Sequence, residues 1–218
     1  MKRKVPLQPM LDRRELLSLG GAAALALVTP EAAANARRAE TMLALADPRY
    51  SDSLVFARGL EREGASVLLL APNMGTVWFD DIEPRLQAGP RQNAGPRQNA
   101  GLRQEAGLRL AGLTLESDLF VLERLAEPTG ARTRFVGLHD WRCRPGAIHS
   151  LCGSIGLGGI EAALVGSEDR WAEKLASALT AGAEQSQERQ RRSVRLDEAW
   201  PAADSPKFFV SWLMTWMS

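Results

Sequence analysis

Short apolar runs alternate with segments of helical periodicity along residues 41–180, and this alternation constrains the fold more than any other feature of the chain. The run at 67–70, Val-Leu-Leu-Leu, is apolar without alternation, which is typical of a parallel strand covered on both faces. The runs with the length and flanking residues of strands are 41–46, 66–71, 108–114 and 132–138.

Helical patterns lie between these runs. Apolar residues recur at helical spacing from Ser51, a candidate N-cap, to Gly64, a candidate terminator. Similar patterns cover 115–125 and 171–179, and a weaker one covers 75–86. We therefore expect a helix after each of the first three strands and a further helix near residue 175.

This order of strands and helices predicts an α/β fold with three layers and a mostly parallel sheet of about four to five strands. We expect the strand order 2-1-3-4 with right-handed crossovers. That layout resembles flavodoxin-like or Rossmann-like domains and indicates no particular family. The segment 208–216 places Val210, Trp212, Met214 and Trp216 on one face, and we expect it to add an edge strand.

The first 36 residues have the composition of a signal peptide. A basic stretch, Lys2-Arg3-Lys4, precedes an apolar stretch at 16–28 and small residues at 34–36. The apolar stretch is too short to span a bilayer about 30 Å thick. We therefore expect cleavage after Ala36, which leaves 37–218 as a single α/β domain.

The adjacent arginines Arg13 and Arg14, with Leu17, resemble a twin-arginine (Tat) signal, although Asp12 and Ser18 depart from the usual pattern. The resemblance covers only the leader. It implies that the Tat machinery exports the chain to the periplasm. Export through the Sec machinery is the alternative.

The composition excludes several classes of function. The chain has 27 Lys and Arg against 26 Asp and Glu, a formal net charge of +1, which does not suit a nucleic-acid-binding protein. With 45% hydrophobic and 24% charged residues it resembles an ordinary globular protein. It lacks an apolar run of membrane-spanning length, so we expect no stable membrane span.

An internal repeat at 88–105 places Arg91, Arg97 and Arg103 six residues apart. Its proline, glycine and amide content leaves little to bury, so we predict a solvated insertion at 88–107. A small basic arm for an acidic partner is the alternative.

Ligands of open parallel α/β sheets bind beyond the carboxyl ends of the strands, near the point where the strand order reverses. The polar residues that follow the predicted strands are therefore candidates for ligand binding. For Ser51, Glu116, Ser117 and Asp118 we favour a role in capping the helix that follows, and ligand binding is the alternative. The candidate ligand-binding residues are Asp47, Asn73, Thr114, Asp118, His139, Asp140 and Arg142.

The same edge could carry catalysis. A carboxylate beside a histidine can hold it as a general base, so His139 with Asp140 or Asp47 is the candidate catalytic pair. Ser51 or Ser117 could then be the nucleophile. The chain has no Gly-x-Ser-x-Gly nucleophile elbow.

Both histidines and both cysteines of the chain, His139, Cys143, His149 and Cys152, fall within fourteen residues. Their spacing matches no common zinc pattern, although the four could bind a metal. In an oxidising compartment, a disulfide between Cys143 and Cys152 is favoured, and it would contribute about 2–3 kcal/mol. Free thiols are the third alternative.

The glycine-rich stretch 153–159 does not fit a dinucleotide-binding loop, and we predict no cofactor. The polar run 185–195 is interpreted as an exposed helix end or linker. The sequence thus predicts an exported α/β binding or accessory protein whose partner is a small molecule or an envelope protein. A small periplasmic hydrolase-like enzyme and a metal or redox protein are the alternatives.

Overall fold

Strands and helices alternate in the computed structural model, which describes residues 42–70, 72–88, 107–142, 146–165, 167, 170–183, 188–196 and 201–216. The strands are β1 (Met42–Ala46), β2 (Ser66–Leu69), β3 (Arg109–Thr114), β4 (Ala131–Asp140), β5 (Ala147–Gly153), β6 (Gln190–Leu196) and β7 (Phe208–Trp216). The helices are α1 (Ser51–Arg62), α2 (Met74–Val77), α3 (Glu83–Ala88), α4 (Glu116–Ala126), α5 (Leu157–Leu164) and α6 (Trp171–Ala183), with a π-helical segment at Trp78–Ile82 and a 3-10 turn at Glu127–Thr129.

The described strands form one seven-stranded sheet in the order β2-β1-β3-β7-β4-β5-β6. The strands β2, β1 and β3 are parallel and lie in the predicted order. Strand β7 is antiparallel to both β3 and β4, and β5 and β6 continue the antiparallel pairing. The α/β class is therefore confirmed, whereas the prediction of a mostly parallel sheet of four to five strands in the order 2-1-3-4 is wrong.

Strand β7 lies in the middle of the sheet, and the edge position predicted for it is wrong. Its alternate residues are buried on both sides: Trp212 and Met214 pack into one core, and Phe209 and Leu213 pack into the other. A strand covered on both faces belongs in the interior of a sheet. The prediction considered only the apolar face that carries Trp212 and Met214, and it did not include Phe209 and Leu213 on the other face.

Strands β5 and β6 were not predicted. Strand β6 carries mostly polar and charged residues, and Val194 is its one buried residue, because it forms an edge of the sheet. A single buried position gives no detectable period of two. The stretch at 190–196 is therefore a strand and not the helix end or linker that its charge suggested.

Helices cover the sheet from both sides. Helices α1, α5 and α6 pack on one face around Phe135 and Leu213. Helices α2, α3 and α4 and the π-helical segment lie on the other side with Trp212. The predicted terminator Gly64 follows α1 with a φ of 98°, a backbone conformation that suits glycine.

Several predicted features lie outside the described residues. These are the leader at 1–36, residues 89–106 of the insertion, and Cys143. Among the described residues, no helix is both long and apolar enough to cross a bilayer.

Candidate functional site

The strand register brings most of the predicted site residues to one edge of the sheet. The last residue of β1, Ala46, is paired with Leu69 of β2, and its other neighbour is Leu113 near the end of β3. The last residue of β4, Asp140, lies opposite Phe208, the first residue of the antiparallel β7. The residues that follow β1, β2, β3 and β4 therefore share one edge, as expected from the sequence, and we call it the carboxyl edge.

The strand order reverses between β1 and β3, because the chain leaves β1 for β2 on one side and then continues with β3 on the other. At this point the buried Asp47 carboxylate accepts hydrogen bonds from Arg49, from the backbone N at 3.0 Å, Nε at 2.9 Å and Nη2 at 2.6 Å. The backbone N of Asp47 donates to Ser53 Oγ, which donates to the carbonyl of Leu113. These bonds fix the end of β1 against the end of β3.

Asp118, in the first turn of α4, completes this group, and we call Asp47, Arg49 and Asp118 the switch-point cluster. Burial raises the pKa of Asp118, the negative charge of Asp47 raises it further, and Arg49 acts in the opposite direction. Its Oδ2 is buried and has no hydrogen-bond partner among the described residues. The cluster therefore contains one carboxylate oxygen that still needs a donor.

Asn73 and Thr114 lie at the same edge but have partners within the fold. The Asn73 side chain caps α2 by accepting a hydrogen bond from Thr76 N at 3.1 Å. Thr114 is buried, accepts from Trp212 Nε1 at 3.0 Å and donates to the carbonyl of Leu115. Both side chains therefore stabilise the local structure of the carboxyl edge.

Asp140 and Arg142 form a second group after β4. Arg142 donates to the Asp140 carboxylate from its backbone N at 2.8 Å, Nε at 2.9 Å and Nη2 at 2.7 Å. These hydrogen bonds lower the pKa of Asp140. The guanidinium also lies over the Phe208 ring, 4.6 Å from its centroid. The two charges thus neutralise each other at the surface.

Residues 201–207, here called the rim loop, lie along the carboxyl edge between these groups. Asp204 accepts hydrogen bonds from the backbone N and the hydroxyl of Ser51, and Asp52 accepts one from Ala202 N at 2.9 Å. Ser51 is the first helical residue, and Tyr50 is the N-cap, so the predicted capping role of Ser51 is wrong. Since Asp204 lies 153 residues from Ser51, no local pattern could reveal this contact.

His139 and His149 lie inside the molecule. His139 Nδ1 is 2.6 Å from His149 Nδ1, and His139 Nε2 is 2.7 Å from Ser211 Oγ. Burial lowers the pKa of His139 well below its usual value and that of His149 to about 4. Trp141 and Trp171 pack around the two imidazoles.

The structure does not assemble the predicted catalytic pair. Neighbouring side chains of a strand point to opposite faces, so the fully buried His139 and the partly exposed Asp140 do not meet. Both ring nitrogens of His139 already have partners, in His149 and Ser211. Among the predicted site residues, the structure brings together Asp47 and Asp118, and Arg49 pairs with Asp47 beside them.

Cys152 lies apart from the histidines, on the opposite face of β5 from His149, and no group of three potential metal ligands occurs among the described residues. It forms no disulfide in the described part of the chain. The register places it opposite Val136. The predicted bridge to Cys143 stays a prediction, because Cys143 lies outside the described residues.

One shallow cavity of about 230 Å³ lies at the far edge of the sheet, between the end of α4 and the start of β4. Charged side chains, among them Glu123, Arg124 and Arg132, line much of it. It is separate from the switch-point cluster.

No protein-family model, curated protein or solved structure matches the chain.

Proposed function

We propose that this chain is an exported α/β binding protein of the cell envelope that takes a small polar ligand at the carboxyl edge of its parallel strands. The observation that carries the proposal is the switch-point cluster, where Asp118 Oδ2 is buried without a described donor. A buried acceptor without a partner costs about 1–3 kcal/mol, which a ligand that donates a hydrogen bond would recover. The cluster also lies where ligands bind in open α/β sheets.

The charges of the cluster indicate the class of ligand. Asp47 is already satisfied by Arg49, whose side chain remains 60% exposed and can also contact an anionic group. Asp118 can accept from an ammonium or hydroxyl group. A small zwitterion of the amino-acid kind, with its carboxylate at Arg49 and its ammonium at Asp118, satisfies both residues.

A calorimetric titration with the free proteinogenic amino acids as probes tests this proposal. We expect at least one of them to bind, and Asp118→Asn to weaken its binding at least about tenfold, since a charged hydrogen bond contributes roughly 1.5–3 kcal/mol. The control Glu116→Gln removes an exposed carboxylate from the same helical turn and should leave the affinity unchanged. Equal losses in the two variants, or no binding by the parent chain, would contradict the proposal.

The leader supports the part of the proposal that concerns export. Its basic, apolar and small-residue regions follow the order of a signal peptide, and Arg13-Arg14 resembles the Tat pattern. We expect the periplasmic fraction of a bacterial host to contain a chain that begins at Arg37. Replacement of both arginines by lysine should retain the precursor in the cytoplasm, whereas unchanged export would favour the Sec route.

A further inference from the structure

One face of the antiparallel half of the sheet is uncovered in the described part of the molecule. Strands β4, β5 and β6 pair in register, so that Leu138, Ser150 and Ser193 form one row across the three strands. Two further rows flank it. We call the following eight residues the open face: Leu138, Asp140, Ile148, Ser150, Cys152, Arg191, Ser193 and Arg195. Val136, beside them on β4, packs against the core that contains Trp212.

Burial differs sharply between the two sides of these strands. His139, Leu151 and Val194 point toward α5 and α6 and are buried. On the open face, by contrast, Leu138 is 38% exposed, and Ser150 is exposed. The described helices on this side, α2 to α4, pack around the core that contains β1, β3 and β7.

The open face is positively charged. Arg191 and Arg195 are exposed along β6, although Arg191 also bonds Cys152 and Arg195 has a further interaction within the chain. Arg189, just before the strand, donates from Nε to Cys152 Sγ at 3.3 Å. The acid on this face, Asp140, is paired with Arg142. The side chains of Leu138 and Ile148 provide apolar surface beside these arginines.

Strand β6 is also an edge of the sheet, because it pairs with β5 alone among the described strands. An edge strand can add another strand through main-chain hydrogen bonds. Self-pairing about Ser193 would place Arg191 opposite Arg195, and like charges directly opposite each other destabilise a pair of strands. An acidic strand would instead complement these arginines.

We propose that the open face and the β6 edge bind an extended, acidic segment of a partner protein, which joins the sheet beside β6. Since alternate side chains of a strand share a face, every second residue of that segment would lie beside Arg191, Ser193 and Arg195. Acidic residues at these alternate positions give the charge match. The site is distinct from the switch-point cluster.

Fluorescence anisotropy with a labelled peptide that alternates glutamate and threonine tests the proposal on the full chain. We expect binding that weakens with added salt, while the peptide that alternates lysine and threonine does not bind. The variant Arg191→Glu/Arg195→Glu should lower the affinity about tenfold or more, because two attractive charge contacts become repulsive. The matched control Arg58→Glu/Arg85→Glu reverses two exposed charges on α1 and α3 and should change it less than about twofold.

Amide hydrogen exchange locates the peptide, since strand addition should protect backbone amides within 190–196. If the double variant fails to fold, Ser193→Asp introduces one negative charge at an exposed position of β6 and should also weaken binding. Equal binding by the control and β6 variants, or equal binding of the lysine peptide, would overturn the proposal. Binding only to anionic phosphatidylglycerol vesicles, or a dimer that the β6 substitutions dissociate, would overturn it in favour of a lipid or a second copy.

Discussion

The imidazoles of His139 and His149 are in contact inside the core, and this contact bears on their protonation state in the folded protein. One hydrogen bond between His139 Nδ1 and His149 Nδ1 requires one ring to donate and the other to accept. Both rings can therefore be neutral, in agreement with their lowered pKa values. Ser211 then donates or accepts at His139 Nε2 according to the tautomer. The pair is a structural element of the sheet interior, where both ring nitrogens of His139 already have partners.

This pair predicts a stability that falls as the pH falls. The unfolded histidines bind protons below about pH 6.5, whereas in the folded protein His149 binds a proton only near pH 4 and His139 only well below pH 6.5. The stabilisation is thus complete above pH 6.5, and each histidine removes up to about 1.4 kcal/mol for each unit of pH below it. Urea unfolding at pH values from 7 to 5 measures this slope.

The matched variants make the test specific. His149→Gln should remove about half of the slope, and since the chain has two histidines, the variant His139→Gln/His149→Gln should remove most of it. Asp52 and Asp118, whose pKa values are raised by burial, act in the opposite direction and are present in every variant. A slope that survives in the double variant would contradict the assignment.

The reactivity of the Cys152 thiol gives a second prediction at the scale of a residue. Its hydrogen bond with Arg189 lowers the pKa of the thiol, with a further contribution from Arg191. Because the thiolate is the nucleophile, we expect alkylation by iodoacetamide at neutral pH to be faster in the folded protein than in urea. The measurement uses a Cys143→Ser background, so that one thiol reacts. Arg189→Gln should slow the reaction severalfold, and equal rates in that variant would exclude the arginine as the cause.

At the scale of elements, the close approach of α1 and α6 depends on one glycine. A Cβ atom at Gly59 would lie 2.7 Å from the Cβ of Ala176 and 3.4 Å from the carbonyl of Glu173. We therefore expect Gly59→Ala to lower the free energy of unfolding by about 1–3 kcal/mol, despite the higher helix propensity of alanine. Urea unfolding at neutral pH measures the change.

Two further variants separate crowding from propensity. Gly159→Ala places a methyl group in α5 where nothing lies within 4 Å, so it should be neutral or slightly stabilising. Ala176→Gly in the Gly59→Ala background should restore part of the lost stability, since it removes the clashing atom. Absence of any recovery would show that Gly59 and Ala176 are not in contact.

The elements that were predicted correctly are those whose apolar pattern and terminating residues are visible in the local sequence. The run 67–70 is apolar at every position, and Gly64 stops α1 where the pattern ends. Strand β6 gave no such signal, because one apolar residue, Val194, faces the core from it. The Asp204 contact with Ser51 and the central position of β7 depend on residues far apart in sequence, which local periodicity does not report.

The candidate site was likewise predicted only in part from the sequence. The rule for parallel sheets brought Asp47 and Asp118 to one edge, and the structure confirms this placement. It also selected His139 from its position near the end of β4, without regard to the face on which the side chain lies. The ion pair between Arg49 and Asp47 could not be predicted, because only the folded turn brings the guanidinium onto the carboxylate.

At the scale of the whole molecule, β7 joins a parallel half of the sheet, β2-β1-β3, to an antiparallel half, β4-β5-β6. A chain that stops after Lys207 would lose the strand that pairs with both β3 and β4. We expect it to lose cooperative unfolding, because both faces of β7 contribute to the two cores. Thermal unfolding followed by circular dichroism measures this, and a chain that stops after Trp216 is the control. A cooperative transition in the shorter chain would show that the halves fold independently.

The position of β7 also sets an order for events during translation. The ribosome makes β7 after the six other described strands, so the full sheet cannot form before β7 has been synthesised. If residues 1–36 are the signal peptide that we propose, they are available to a targeting factor throughout that time. A translocase that accepts unfolded chains could then engage the protein before its fold exists, whereas one that accepts folded cargo could act only after β7 has joined the sheet.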